Sequence, residues 1–99
     1  MQCARLFEYP KYSAALCEHL AQQLTDIEID LVISPATGGI ILGYEMSRQL
    51  SVKNIFAERE NGAMTLRRNF NIPKDSKVLV VEDVVTTGGS LLELSLIHI

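Results

Sequence analysis

The stretch that decides the fold is Val78-Leu79-Val80-Val81-Glu82-Asp83-Val84-Val85-Thr86-Thr87-Gly88-Gly89-Ser90. It begins in a continuous, largely β-branched run from Lys77 to Val81, which predicts a strand buried on both faces. Two carboxylates follow, and the small-residue turn after them predicts a link into a further helix starting over residues 91–94. A buried strand that ends in acidic and glycine residues is typical of the carboxyl edge of an α/β sheet, where such folds bind ligands.

Two other helices are predicted on the amino-terminal side of this stretch. Leu16, Leu20 and Leu24 recur at a four-residue spacing, which predicts an amphipathic helix over residues 9–25. A second helical pattern covers Ile40–Leu50 and follows the small-residue loop 35–39. The core contacts expected from this helix are Ile40, Ile41, Tyr44 and Leu50.

The remaining apolar runs predict strands between those helices. Ile29–Ser34 is rich in β-branched residues and stops at a proline, and Ile55–Glu58 is a second short run. Residues 59–69 are polar and charged, with no clear period. Because strands alternate with helices and are apolar on both faces, the predicted fold class is α/β, with a mostly parallel sheet flanked by helices on both sides.

Length and composition limit the possible functions. The chain has 99 residues, of which 47% are hydrophobic and 21% charged, so it is one small globular domain or part of one. Its net charge of -3 gives no general attraction to nucleic acid or to an anionic membrane, and no partner of either kind is expected. Cys3 and Cys17 have no metal-ligand spacing and follow no signal sequence, which favours a protein of the reduced cytoplasm over a disulfide scaffold, and no metal ligands are expected.

The residues at the end of the decisive strand have the chemistry of a sugar-phosphate site. Glu82 and Asp83 accept hydrogen bonds when ionised, which suits vicinal hydroxyls such as those of a ribose. The glycines and hydroxyl residues of segment 86–90 can offer backbone N–H groups to an anion. An acidic pair alone is most often a solvated strand end, but its combination with this turn favours a ligand site. The chain has neither the lysine-containing Walker A loop nor the dinucleotide fingerprint Gly-x-Gly-x-x-Gly.

Val78–Ser90 resembles the phosphoribosyl-pyrophosphate (PRPP) motif of type I phosphoribosyltransferases, in the version typical of the orotate phosphoribosyltransferases. Ile33–Ile40 is similar to the pyrophosphate loop of that family, and Phe56–Arg68 is similar to its flexible catalytic loop. The resemblance implies that residues 1–93 are part of a Rossmann-like phosphoribosyltransferase core, truncated at both ends. Residues 94–99 do not continue the family's helix and are expected to be a non-native or truncated tail.

The resemblance also implies an activity, a cofactor and partners. The family transfers the 5-phosphoribosyl group of PRPP to orotate with Mg²⁺, releasing orotidine 5'-monophosphate and pyrophosphate, and a homodimer is expected for the full-length protein. Substrate contacts are then expected from Thr37, Gly38, Gly39, Arg59, Glu82, Asp83, Val84, Val85, Thr86, Thr87, Gly88, Gly89 and Ser90. Catalytic groups are expected at Arg59, Arg67, Arg68 and Asp83. The chain departs from many members at Ala63, near which they carry a lysine, and Arg67 and Arg68 are the nearby cations.

Other functions fit the same motif. A regulatory module of this fold can sense PRPP or nucleotides without turnover, and a related enzyme can act on a purine base. The low charge of the chain disfavours a nucleic-acid-binding regulator, and the Glu58–Gly62 segment disfavours a purine enzyme. The chain alone can also be an inactive fragment of an active parent enzyme.

Overall fold

The computed structural model describes residues 8–66, 70–86 and 89–98. Its helices and strands follow in the order α1 (Pro10–Gln22), β1 (Leu31–Pro35), α2 (Ile40–Leu50), β2 (Lys53–Glu60), β3 (Ala63–Leu66), β4 (Lys77–Thr86) and β5 (Gly89–His98). Within these residues, no helix is long and apolar enough to cross a membrane.

The described strands form one sheet in the order β3-β2-β1-β4-β5. The central strand β1 is parallel to both of its neighbours, β2 and β4. The two edge strands are antiparallel to the strands beside them. The α/β fold class is therefore confirmed, with a parallel centre and antiparallel edges that make the whole sheet mixed.

The register of the central strands brings their carboxyl ends to one edge. Ile33 of β1 pairs with Ile55 of β2 and with Val80 of β4. At the opposite end, the Asp30 amide donates to the Lys77 carbonyl and Asp30 Oδ2 accepts from the Lys77 amide, both at 2.8 Å. These two bonds align the starts of β1 and β4, so that the segments following β1 and ending β4 meet at the same edge of the sheet.

Both helices pack on one face of the sheet. Their shared core consists of Cys17, Val32, Leu42, Met46, Leu79 and Val81. On the other face, the buried residues Leu31, Ile55 and Val78 are covered by Phe70 and Ile72. The expectation of helices on both faces is thus wrong for the described residues, because the chain leaves β2 through a hairpin and not through a helical crossover.

Helix α2 has the predicted bounds but buries a different stripe. Ile41 and Tyr44, expected in the core, are 53% and 63% exposed. The buried positions are Leu42, Gly43, Met46 and Ser47. This stripe still has the helical spacing, but it is rotated so that the glycine faces β1, where a larger side chain would not fit.

The segment predicted to be irregular contains a tight β-hairpin. β2 extends to Glu60, and Asn61 and Gly62 form a two-residue turn with φ values of 53° and 84° before β3 begins. Positive φ at both central residues is the geometry of a type I′ turn, for which Asn-Gly is the preferred sequence. The local signal for β3 was therefore present in the sequence.

Gly62 provides a test of this turn. A Cβ at Gly62 meets no atom within 4 Å, so the cost of Gly62→Ala comes from its φ of +84° alone. We expect Gly62→Ala to lower the free energy of unfolding by about 1 kcal/mol. Gly62→Asn is the matched control, because asparagine tolerates this conformation and should cost less. Urea unfolding measures the free energy of unfolding of both variants, and equal losses of this free energy would contradict the turn geometry.

The helix predicted to begin over residues 91–94 is wrong, because the chain forms strand β5 there. β5 pairs antiparallel with β4 along its whole length, from Thr86 opposite Gly89 to Lys77 opposite His98. This pairing supplies hydrogen-bond partners to the edge of β4 that β1 does not cover. The next described element after β4 is consequently a strand and not a helix.

Cys17 is a core residue, as its place on α1 predicts, and its thiol donates a hydrogen bond to the Leu42 carbonyl oxygen at 3.8 Å. Burial, with a smaller contribution from the Glu45 carboxylate, raises the pKa of this thiol to about 11. An unfolded cysteine has a pKa near 9.0. The folded state therefore loses stability as the pH rises from about 9 through about 11.

This pH dependence can be measured as a difference between two variants. Cys3→Ser keeps Cys17 as the one thiol, and adding Cys17→Ala removes it. We expect the free energy of unfolding of the first variant to fall relative to the second between about pH 9 and pH 11. Identical profiles would contradict a buried, protonated thiol.

Candidate functional site

The candidate site lies where β1 ends. Residues 36–39, called here the glycine loop, connect β1 to α2 and include a cis peptide bond between Ala36 and Thr37. The Ala36 amide donates to the Ala57 carbonyl of β2 at 2.7 Å, and the Gly39 amide donates to the Pro35 carbonyl at 3.2 Å. Among the described residues, the intervening amides of Thr37 and Gly38 have no acceptor, so they are available to an anion.

Asp83 of β4 lies directly beside this loop. A Cβ placed on Gly38 would be 3.5 Å from Asp83 Oδ2 and 3.7 Å from Asp83 Cβ. The other carboxylate oxygen, Oδ1, is buried and has no hydrogen-bond partner in the described structure. A buried carboxylate oxygen without a donor is costly, so this position is suited to a ligand hydroxyl or a cation. The structure therefore brings together the predicted residues Gly38 and Asp83.

Gly39 holds the loop close to β4. A Cβ on Gly39 would be 2.9 Å from the Val81 carbonyl oxygen and 3.1 Å from Ser34 Cβ. The first contact is shorter than a side chain tolerates, and the obstacle is backbone. Glycine is therefore required here for packing, which in turn sets the distance between the loop and Asp83.

The side chains of Glu82 and Asp83 do not lie beside each other. Neighbouring residues of a strand point to opposite faces of a sheet, and both residues are within β4. Glu82 lines a cavity of about 280 Å³, called here the apolar cavity, on the face away from the helices; its other lining residues are Ile33, Ser34, Pro35, Ala57, Met64, Ile72, Val80 and Ile97. The two acidic side chains therefore point to opposite faces of the sheet, and their joint contact with a ribose stays a prediction.

Arg59 is also on the side of the apolar cavity. It follows the cavity residue Ala57 by two positions on β2 and pairs with Met64 across the hairpin. Its Nη1 donates to the Gly62 carbonyl oxygen at 3.2 Å, so the guanidinium is held on its own turn. The structure does not bring Arg59 to Asp83.

The other predicted site residues are divided between the β4–β5 hairpin and the part outside the described residues. Val84, Val85 and Thr86 end β4, and Gly89 and Ser90 begin β5, with Thr86 paired to Gly89. The predictions for Arg67, Arg68, Thr87 and Gly88 lie outside the described residues.

Comparison with known proteins identifies the family. The family model for the phosphoribosyl transferase domain matches residues 8–96. This chain belongs to the phosphoribosyltransferase family.

Two curated relatives of this phosphoribosyltransferase chain are orotate phosphoribosyltransferases. The orotate phosphoribosyltransferase of Thermoanaerobacter sp. is 57% identical over 94 residues, which is 95% of this chain and 50% of the relative. That of Chlorobium phaeobacteroides is 53% identical over 93 residues, which is 94% of this chain and 48% of the relative. The chain thus spans about half the length of the curated relatives that it matches.

A solved structure shares the fold. The adenine phosphoribosyltransferase of Thermoanaerobacter pseudethanolicus superposes with a TM-score of 0.69 at 18% identity, over 85% of this chain and 57% of that one. At this identity the likeness concerns the fold alone.

Sequence reasoning missed three residues that shape the site of this phosphoribosyltransferase chain. Ser34 is 1% exposed beneath the glycine loop, and Gly43 of α2 lies against it, with a would-be Cβ 2.7 Å from Ser34 Oγ. Asn54 of β2 has a buried Oδ1 near the same point. A glycine inside a helical pattern signals close packing, so Gly43 could have been found from the sequence. Ser34 lies in an apolar run and Asn54 in the polar segment before Ile55, so neither carries such a signal.

Proposed function

We propose that this chain is the PRPP-binding part of an enzyme that transfers the 5-phosphoribosyl group of PRPP to orotate. The products are orotidine 5'-monophosphate and pyrophosphate. The observation that carries the proposal is the buried Asp83 Oδ1, which has no hydrogen-bond partner among the described residues and belongs to a carboxylate beside Gly38 of the glycine loop. The choice of orotate rests on the names of the curated relatives.

The glycine loop and Asp83 bind different parts of the substrate. The free amides of Thr37 and Gly38 bind the pyrophosphate group, which becomes more negative as its bond to C1' loosens. Asp83 accepts hydrogen bonds from the ribose hydroxyls and stabilises the positive charge that develops on the sugar. Because the Asp83 carboxylate lies beside Gly38 of the loop, the leaving group and the ribose would be held side by side.

Asp83 also fits the Mg²⁺ that the family uses. Mg²⁺ prefers oxygen ligands, and Asp83 Oδ1 is a buried oxygen without a partner. Within the described ranges, no three His, Cys, Asp or Glu side chains lie close enough to hold a metal ion. A bound Mg²⁺ would neutralise charge on the departing pyrophosphate, with PRPP supplying further oxygen ligands.

The remaining site residues have roles that follow from the resemblance. Residues 86–90 bind the 5'-phosphate, and Glu82 contacts the ribose from the face of the apolar cavity. Arg59, Arg67 and Arg68 neutralise the pyrophosphate after the β2–β3 hairpin moves toward the site, and this closure excludes water from the reacting centre. We also propose that the full-length protein is a cytoplasmic homodimer.

Binding of PRPP is the direct test for this chain. With MgCl₂ present, PRPP at 100 times its dissociation constant should stabilise the folded chain by about 2.7 kcal/mol and raise its melting temperature accordingly. Ribose 5-phosphate and pyrophosphate alone are controls for partial ligands. No shift in melting temperature at saturating PRPP would contradict the proposal.

Turnover separates an enzyme from a PRPP sensor. The assay follows the loss of orotate absorbance with PRPP and Mg²⁺ in the full-length protein, with adenine, hypoxanthine and uracil as control bases. Consumption of orotate alone supports the proposed reaction. Consumption of a purine base would show that the acceptor is a purine and not orotate. PRPP binding without consumption of any base would indicate a sensor.

A further inference from the structure

Ser34 occupies the junction between β1, α2 and the glycine loop. Its side chain is 1% exposed. Would-be Cβ atoms on Gly39 and Gly43 would lie 3.1 Å and 3.0 Å from Ser34 Cβ, so two glycines pack against this one side chain. For shape alone, alanine would fill the space, and the hydroxyl therefore needs a separate explanation.

The hydroxyl of Ser34 has a polar neighbour that also lacks a partner. Ser34 Oγ and Asn54 Oδ1 are both buried, and neither forms a hydrogen bond with a described residue. They are 2.7 Å and 3.6 Å from the same point, the position of a would-be Cβ on Gly43. Two oxygens this close to one point are near enough to share one small hydrogen-bonding molecule, and a buried polar group without a partner is costly.

Both oxygens are closed to bulk solvent, and a surface pocket of about 360 Å³ lies beside them on the side of Asn54. Its lining residues are Tyr44, Ser47, Arg48, Val52 and Asn54, most of which are polar. A water enclosed between this pocket and Ser34 would satisfy both buried oxygens. The Arg48 guanidinium is bound to the Glu45 carboxylate at 2.7 Å, so it is not directed at Asn54 as a competing partner.

We propose that Ser34 and Asn54 bind one ordered water molecule beneath α2. The Ser34 hydroxyl donates to the water, and the water donates to Asn54 Oδ1. This bridge links β1 to β2 under the first turns of α2 and fixes the height of the glycine loop above the sheet. The water site rests on packing and polarity alone, and its effect on ligand binding rests in addition on the proposed function.

The water is tested by structure and by a double-mutant cycle on the 99-residue chain. A crystal structure should show density for a water within hydrogen-bond distance of Ser34 Oγ and Asn54 Oδ1. Ser34→Ala and Asn54→Ala should each raise the unfolding equilibrium constant. The double variant should raise it by about fivefold less than the product of the two single effects. Ser76→Ala combined with Asn54→Ala is the matched control, because Ser76 is a buried serine whose hydroxyl already donates to the Pro73 carbonyl at 2.6 Å. The effects of Ser76→Ala and Asn54→Ala on the free energy of unfolding should be additive.

Two results would overturn the water site. One is a direct Ser34–Asn54 hydrogen bond with no water, and the other is additive energies for Ser34→Ala and Asn54→Ala. The link to the loop has its own readout: Ser34→Ala should weaken PRPP binding several-fold, whereas Ser76→Ala should not. Unchanged PRPP affinity in Ser34→Ala would refute the link. If the wild-type chain did not bind PRPP at all, the proposed function would fail while the crystal structure and the cycle still decided the water.

Discussion

Asp83→Asn should weaken the binding of PRPP with Mg²⁺ to this chain by about 10- to 100-fold while the fold is retained. The substitution keeps the shape of the side chain but removes the charge that a ribose hydroxyl or a cation would meet at Oδ1. Because Oδ1 is buried without a partner, the neutral amide should also leave the free energy of unfolding equal or higher. Isothermal titration calorimetry gives the affinity, and urea unfolding gives the stability.

Glu82→Gln is the matched control for Asp83→Asn. It makes the same change at the next residue, on the face of the apolar cavity and away from the glycine loop. We expect a clearly smaller loss of PRPP affinity than for Asp83. Equal losses would show that both carboxylates reach the ligand together, which would contradict the opposite-face geometry. Unchanged PRPP affinity in Asp83→Asn would contradict the role of Asp83 on which the proposed function depends.

Gly39→Ala should lower the free energy of unfolding by about 1–3 kcal/mol, the usual cost of overpacking. The added Cβ would stand 2.9 Å from the Val81 carbonyl oxygen, and backbone of a central strand does not move easily. The strain is relieved only if the glycine loop lifts away from β4. PRPP affinity should therefore fall together with stability.

The neighbouring substitution Gly38→Ala is the control for this packing argument. Its Cβ would make ordinary contacts of 3.5 Å and 3.7 Å with Asp83. We expect its free energy of unfolding to stay within about 1 kcal/mol of that of the wild-type chain. If the two alanine variants were equally stable, the close approach of Gly39 to Val81 would be wrong.

The sequence was sufficient to predict those helices and strands in which the local pattern agrees with the burial found in the structure. Helix α2 has the predicted bounds, Ile40–Leu50, because its apolar residues follow a helical period and small residues precede it. The strand beginning at Lys77 was evident because a continuous β-branched run fits a position covered on both faces. Both elements lie next to the candidate site, so its location at the carboxyl edge could be predicted.

Other features depended on contacts distant in sequence. The prediction of a helix over residues 91–94 failed because pairing with the edge of β4 overrode the local pattern. The separation of Glu82 from Asp83 follows from the extension of β4 to Thr86, whereas the sequence pattern placed the strand end at Val81. The need for glycine at position 39 comes from the Val81 carbonyl, which no local pattern reveals.

The central position of β1 has a consequence for the order in which the protein assembles. Both neighbours of β1 are parallel to it and must be brought from far along the chain, so the loop-closure entropy is lost before the contacts form. Gly38 and Asp83 consequently meet only when β4 docks on β1, so we expect the candidate site to form in the same step as the parallel part of the sheet. The β2–β3 hairpin, with its local contacts, can form earlier and on a microsecond timescale.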